Sequence, residues 1–121
     1  DAAWLYDLNG LHVRPFPKNL QVVLINNGGG NIFRWIQGPE ELGLLPEFFE
    51  VPFLQNSEAT AQAGGLDYFC AESPALLDDV FELWDNNPAP SLLEIRTNGE
   101  LSAKFYQDLQ KVLFEQMGST E

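Results

Sequence analysis

Apolar positions change period several times along the chain, and each change marks an element. Trp4, Leu5, Leu8 and Leu11 share one helical face, so residues 2 to 14 read as a helix ending before Pro15 and Pro17. Val22, Val23, Leu24 and Ile25 form a short β-branched run, and Leu20 to Ile25 reads as a buried strand. A short helix starts at Asn31 and runs to Ile36. Residues 57 to 63 favour another helix, stopped by Gly64-Gly65, and Leu66 to Ala71 returns to strand. Ser73 followed by Pro74 signals a helix start, with Leu76, Leu77, Val80, Phe81 and Trp84 at core spacing. Asn86-Asn87 ends that helix ahead of Pro88 and Pro90. Ser91 to Arg96 is a further strand, and Leu101, Phe105, Leu109, Val112 and Leu113 mark a C-terminal helix. Strands alternating with helices predict one α/β domain, a three-layer sandwich with a mainly parallel sheet.

One stretch breaks this rhythm. From Gln37 to Asn56, Pro39, Gly43, Pro46 and Pro52 interrupt the pattern while Leu42, Leu44, Leu45, Phe48, Phe49, Val51, Phe53 and Leu54 keep it strongly apolar. Such a stretch is no solvated linker. It is expected to present an apolar surface covered by another part of the protein or by a partner subunit.

The sharpest local change falls at Leu24-Ile25-Asn26-Asn27-Gly28-Gly29-Gly30, where a strand passes directly into residues that accept unusual backbone angles. Three glycines let backbone N–H groups approach an anion closely, and phosphate is the natural candidate. Carboxamide oxygens, with the Asp1 carboxylate twenty-six positions before Asn27, are hard donors suited to magnesium or calcium. Asn-Gly is also the commonest tight-turn pair, so a plain strand-to-loop turn is the other reading of the same residues.

Charge narrows the partners. Lys and Arg number 6 against 18 Asp and Glu, a formal charge of −12, which repels nucleic acid and anionic membrane surfaces. A diphosphate would have to be drawn in by local dipoles and a metal. The acidic residues Asp78, Asp79, Glu82 and Asp85 lie off the apolar stripe of their helix and read as a solvated face. Arg96, at a strand end, could meet an anion or form a surface ion pair. A single cysteine, Cys70, excludes an internal disulfide and fits a reducing cytoplasm. No apolar run is long enough to span a membrane. Neither a HExxH, a Walker nor a Rossmann fingerprint is present, and His12, the one histidine, has no motif-placed partner.

Asp1-Ala2-Ala3-Trp4-Leu5-Tyr6-Asp7-Leu8-Asn9-Gly10-Leu11, followed by Ile25-Asn26-Asn27-Gly28-Gly29-Gly30-Asn31-Ile32-Phe33, resembles the C-terminal cofactor domain of the MenD family, thiamine diphosphate enzymes of menaquinone biosynthesis. The close match covers residues 1 to about 36. The resemblance implies a thiamine diphosphate-binding fold over residues 1 to 121, truncated at its N-terminus because the family places a buried strand and a Gly before Asp1. It implies magnesium held by Asp1, by the Asn27 side chain and by the main-chain carbonyl of Gly29. Asn26, Gly28 and Gly30 would shape the loop, and Ile32, Phe33 and Ile36 would present an apolar wall to the thiazolium and substrate. Ala3 stands where the family usually has Ser, and Gly28 where a third Asn is common.

The activity implied is that of a transferase which decarboxylates 2-oxoglutarate and adds the succinyl unit to isochorismate. The base-activating Glu would come from a separate domain, typically of the neighbouring subunit in a homodimer or homotetramer. The fragment by itself is expected to be inactive. Two alternatives remain at this point: another thiamine diphosphate enzyme, of the 2-oxo acid decarboxylase or acetolactate synthase type, and a non-catalytic acidic α/β interaction module.

Overall fold

The computed structural model describes residues 1–34 and 55–118. Ile36 and most of the apolar stretch from Gln37 onward lie outside the described residues. The chain divides into two compact units, Asp1–Asn26 with Phe53–Thr97, and Asn27–Pro52 with Asn98–Glu121.

The first unit is built on a parallel sheet of three strands, β1 (Gln21–Asn26), β2 (Asp67–Ala71) and β3 (Ser91–Arg96), in the order β1-β3-β2. β3 is central, pairing Gln21 through Asn26 with Ser91 through Arg96 on one side and Asp67 through Ala71 with Ser91 through Ile95 on the other. Pairing on both edges accounts for its burial: Leu92 and Leu93 are wholly inaccessible. This is the α/β fold with a parallel sheet that the alternation of elements predicts.

The register joins even positions to even and odd to odd, so side chains sort cleanly between the two faces. On the even face Leu24 and Leu92 pack with Leu11, Ala61 and Leu66, flanked by Trp4, Leu8, Phe16, Val22 and Tyr68. These contacts bring in α1 (Ala2–Asp7), the 3-10 segment Leu8–His12 and α2 (Ser57–Gly64). Trp4 Nε1 donates to Thr60 Oγ1 at 3.1 Å, tying α1 to α2. Against β2 and β3 lies α3 (Pro74–Asp85).

Two local readings are corrected, and a third holds in position. The helix expected over residues 2 to 14 is α-helical only to Asp7 and then tightens to 3-10 pitch. Asn9-Gly10 weakens the α-helix there, and three residues per turn aligns Leu8 with Leu11 toward the core. In α3 the buried member of the stripe is Trp84, whereas Leu76 and Phe81 are nearly half exposed, because the helix covers only two strands. Ser73 occupies the N-cap position before Pro74 but its side chain makes no capping hydrogen bond.

α2 stops where expected, with Gly65 in the left-handed region at φ 84° and its N–H bonded to the carbonyl of Gln62. Gly64 has a different constraint, since an added Cβ would fall 2.5 Å from Leu11 Cδ1 and 2.9 Å from Leu11 Cβ. Gly64→Ala should therefore lower stability by about 1–3 kcal/mol through overpacking. Gly10→Ala, whose Cβ would meet nothing within 4 Å, is the matched control, and urea unfolding midpoints compare the two.

Candidate functional site

In the first unit the end of β1 is held from several directions. The carbonyl of Asn26 accepts from Thr97 N at 2.8 Å, one residue beyond the Asn26–Arg96 pair that closes the register. Its side chain lies on the even face, where Nδ2 donates to Glu94 Oε1 at 2.6 Å. Glu94 is 1% exposed in the middle of the central strand. It also accepts from Tyr68 Oη, from Ser57 Oγ at 3.3 Å and pairs with Arg96 Nε at 3.5 Å. Each strand, and α2, thus contributes a donor to one carboxylate.

Burial by itself would raise the pKa of this carboxyl, but hydrogen bonds from Asn26 and Tyr68 and the charge of Arg96 outweigh it and hold Glu94 below its ordinary 4.5. Tyr68 is pushed in the opposite direction, by burial first and then by Cys70 and Glu94, and remains a donor. Arg96 also pairs with Glu72 at 2.6 Å, the surface ion pair among its two readings. Asp1 sits beside the end of β1, its main-chain nitrogen donating to the carbonyl of Ile25 at 3.1 Å. The Asp1 carboxylate caps α1, accepting from Ala2 N at 2.7 Å.

The second unit contains the glycine loop, the 3-10 turn Asn31–Arg34 and α4 (Gly99–Gly118). Gly28 and Gly29 have φ of 89° and 151°, conformations that residues with a Cβ rarely adopt. The Gly29 carbonyl accepts from Asn31 N at 2.9 Å. Asn31 is buried, and its Nδ2 donates to the Gly99 carbonyl at 2.9 Å. A Cβ on Gly99 would fall 3.0 Å from Asn31 Oδ1 and 3.1 Å from the Asn27 carbonyl, so the loop and the start of α4 approach closely there. Asn98 caps α4, its Oδ1 accepting from Leu101 N at 3.0 Å.

Around this clasp lies a pocket of about 340 Å³, lined by Asn27, Gly28, Gly29, Asn31 and Arg34 from the loop side and by Asn98 to Glu100 from the helix start. Its cation, Arg34, is paired with Glu100 at 3.4 Å, and Gln107 Nε2 holds the Arg34 carbonyl at 3.2 Å. The lining is mostly carboxamide and main chain, and it includes the positive end of a long helix. No group of three or more His, Cys, Asp or Glu gathers among the described residues. Of the expected apolar wall, Ile32 is exposed and Phe33 half-buried.

The structure thus brings Asn27, Gly28 and Gly29 together in one pocket within the second unit, while Asp1 and Asn26 belong to the first. Sequence reasoning missed Asn31, the Asn98-Gly99 pair and the Glu94 network. Two signals carried them: a second Asn-Gly one residue beyond a strand, and a Glu inside the apolar run Leu92-Leu93-Glu94-Ile95.

Two outcomes follow from this geometry. Gly99→Ala adds a good helix former to the first turn of α4, yet it should destabilise by about 1 kcal/mol, since the backbone of Asn27 cannot yield easily. Thermal unfolding decides the sign. For Glu94, a folded-state pKa below the ordinary value means a contribution to stability that is full above about pH 4.5 and lost as pH falls through the depressed value. The stability difference between wild type and Glu94→Gln, from urea titrations at a series of pH values, should shrink on acidification; a constant difference contradicts the assigned charge state.

No family model matches the chain. Among curated proteins it is 34% identical over 114 residues to the 2-succinyl-5-enolpyruvyl-6-hydroxy-3-cyclohexene-1-carboxylate synthase of Flavobacterium johnsoniae, covering 90% of this chain and 21% of the relative. The synthases of the same name from Cytophaga hutchinsonii and Lactococcus lactis subsp. cremoris are 32% and 36% identical, covering 93% and 88% of this chain and 20% and 19% of the relatives. The chain spans about a fifth of the length of the curated relatives it matches. With the strand-end asparagines, the glycine loop and the parallel sheet all in place, the chain belongs to the family of these synthases, the MenD family.

Proposed function

We propose that residues 1 to 121 are the C-terminal, diphosphate-binding domain of a thiamine diphosphate-dependent synthase of menaquinone biosynthesis. The whole enzyme would decarboxylate 2-oxoglutarate and add the succinyl unit to isochorismate. The observation that carries this reading is the pocket at the glycine loop, where a backbone without side chains, carboxamides and a helix N-terminus converge. Space around the loop supports it, since a Cβ at Gly28 would meet nothing within 4 Å. The shared name of the relatives favours this synthase over other thiamine enzymes.

The residues fit the cofactor in kind. Asp1, the Asn27 side chain and the Gly29 carbonyl are hard oxygen donors of the sort magnesium takes, and they would hold the ion that bridges to the diphosphate. Asn26, Gly28 and Gly30 would shape the loop around the phosphates, with Ile32, Phe33 and Ile36 forming the apolar side toward the thiazolium. When bound, thiamine diphosphate supplies the electron sink for loss of carbon dioxide from a 2-oxo acid. The domain's own work is to anchor and orient. An activating Glu from another domain of a neighbouring subunit would make the working unit a homodimer or homotetramer and leave this domain inactive alone, and the single cysteine fits a reducing cytoplasm.

Calorimetric titration of the full-length protein with thiamine diphosphate and magnesium tests the assignment. Asp1→Ala and Asn27→Ala should each weaken binding by roughly 100-fold, since even outer partners of metal ligands are worth 10- to 100-fold. Undiminished affinity in both variants overturns the site.

A further inference from the structure

A charged carboxylate is an unusual choice for the middle of a central strand whose neighbours are Leu92 and Leu93, because its removal from water must be offset by donors. At Glu94 the donors come from β1 (Asn26), β2 (Tyr68), β3 (Arg96) and α2 (Ser57). Stability alone would be served as well by an apolar residue at this position. A carboxylate does something an apolar residue does not: it fixes the orientation of a carboxamide.

We propose that Glu94 is a positioning residue, which fixes the Asn26 side chain and with it the point where the glycine loop leaves β1. The proposal rests, for its consequence in cofactor binding, on the thiamine diphosphate reading above. Three observations support the assignment. The Asn26 to Glu94 contact at 2.6 Å is short and charge-assisted. The parallel register puts Asn26, Glu94 and Arg96 on one face, so the contact follows from strand pairing and needs no flexible reach. Finally, the main chain of Asn26 is held separately, by Thr97 N at 2.8 Å, so backbone and side chain of the last strand residue are each restrained just before Asn27 and Gly28 begin the loop.

Tyr68 supplies the contrast that separates positioning from mere support. It donates to the other oxygen of Glu94 and does not touch Asn26 in any described contact, so Tyr68→Phe removes a buried hydrogen bond while leaving the Asn26 anchor. Glu94→Gln keeps the shape but loses the charge that orders Asn26 and Arg96 together.

Amide hydrogen exchange over Gly28 to Asn31 in the cofactor-free, full-length protein reads the loop directly. Glu94→Gln should speed exchange there by about tenfold, the equivalent of one charge-assisted hydrogen bond, and should weaken magnesium-dependent thiamine diphosphate binding by a similar factor. Tyr68→Phe should lower the unfolding temperature yet leave loop exchange and cofactor affinity within about twofold of wild type. Asn26→Ala removes the same contact from its other end, should reproduce the loop signature, and carries the test if Glu94→Gln does not fold. Loop exchange unchanged in the variants that break the Asn26 contact overturns the proposal. So does equal acceleration in Tyr68→Phe, because the effect would then follow general stability. Failure of wild type to bind thiamine diphosphate overturns the cofactor reading instead, and loop exchange still decides the role of Glu94.

Discussion

The first unit depends on one constraint: a carboxylate at the centre of a doubly paired strand must keep its charge satisfied without water. Taking an ion out of water costs several kcal/mol, and a parallel strand paired on both edges has nowhere to turn it outward. Glu94 meets this through donors from every strand and from α2, which is possible only in the observed register. A slip of one residue would turn Asn26 and Tyr68 to the other face and strip the carboxylate of both donors from the neighbouring strands. Polar satisfaction and strand register are therefore the same condition, and the even-face core of Leu24, Leu92, Leu11, Ala61 and Leu66 is assembled under it.

From that condition follows the placement of the segments with chemistry. In parallel sheets ligands are bound beyond the carboxyl ends of the strands. Here β1 and β3 end at the same level, Asn26 opposite Arg96, and each is followed within two residues by an Asn-Gly pair. The two glycine-bearing segments do different physical work. Gly28 and Gly29 supply backbone angles, with φ of 89° and 151°. Gly99 supplies closeness, since a Cβ there would press on Asn31 and on the Asn27 carbonyl.

Much of this is legible in the sequence where punctuation is local. Gly64-Gly65, Ser73-Pro74 and Asn86-Asn87 mark their boundaries to within a residue because backbone freedom and ring closure act on the residue itself. The glycine loop is legible for the same reason. Glu94 is not, because in one dimension it is a lone charge in an apolar run, and its meaning lies in Asn26 sixty-eight positions away. Pitch is also hidden: Leu8 and Leu11 suit an α-helical face and a 3-10 face alike, and Asn9-Gly10 decides between them only through the core that Leu11 enters. On α4 the regular stripe of Leu101, Phe105, Leu109, Val112 and Leu113 identifies the helix but not its inward side; Ala103 is buried while the stripe is exposed.

Net charge sets the last condition on the site. A chain of −12 repels a diphosphate at long range, and Arg34, the cation at the pocket, is already paired with Glu100. Backbone amides and a helix end offer only partial charges, effective over a few ångströms. Attraction strong enough to offset the global field would have to come from an ion of high charge density, and under the proposed function Asn27, Gly29 and Asp1 would supply its oxygen ligands. Under the proposed function the metal would be what allows an acidic domain to hold an anion, and the anchoring of Asn26 by Glu94 would matter because the neighbouring Asn27 would present its oxygen to that ion.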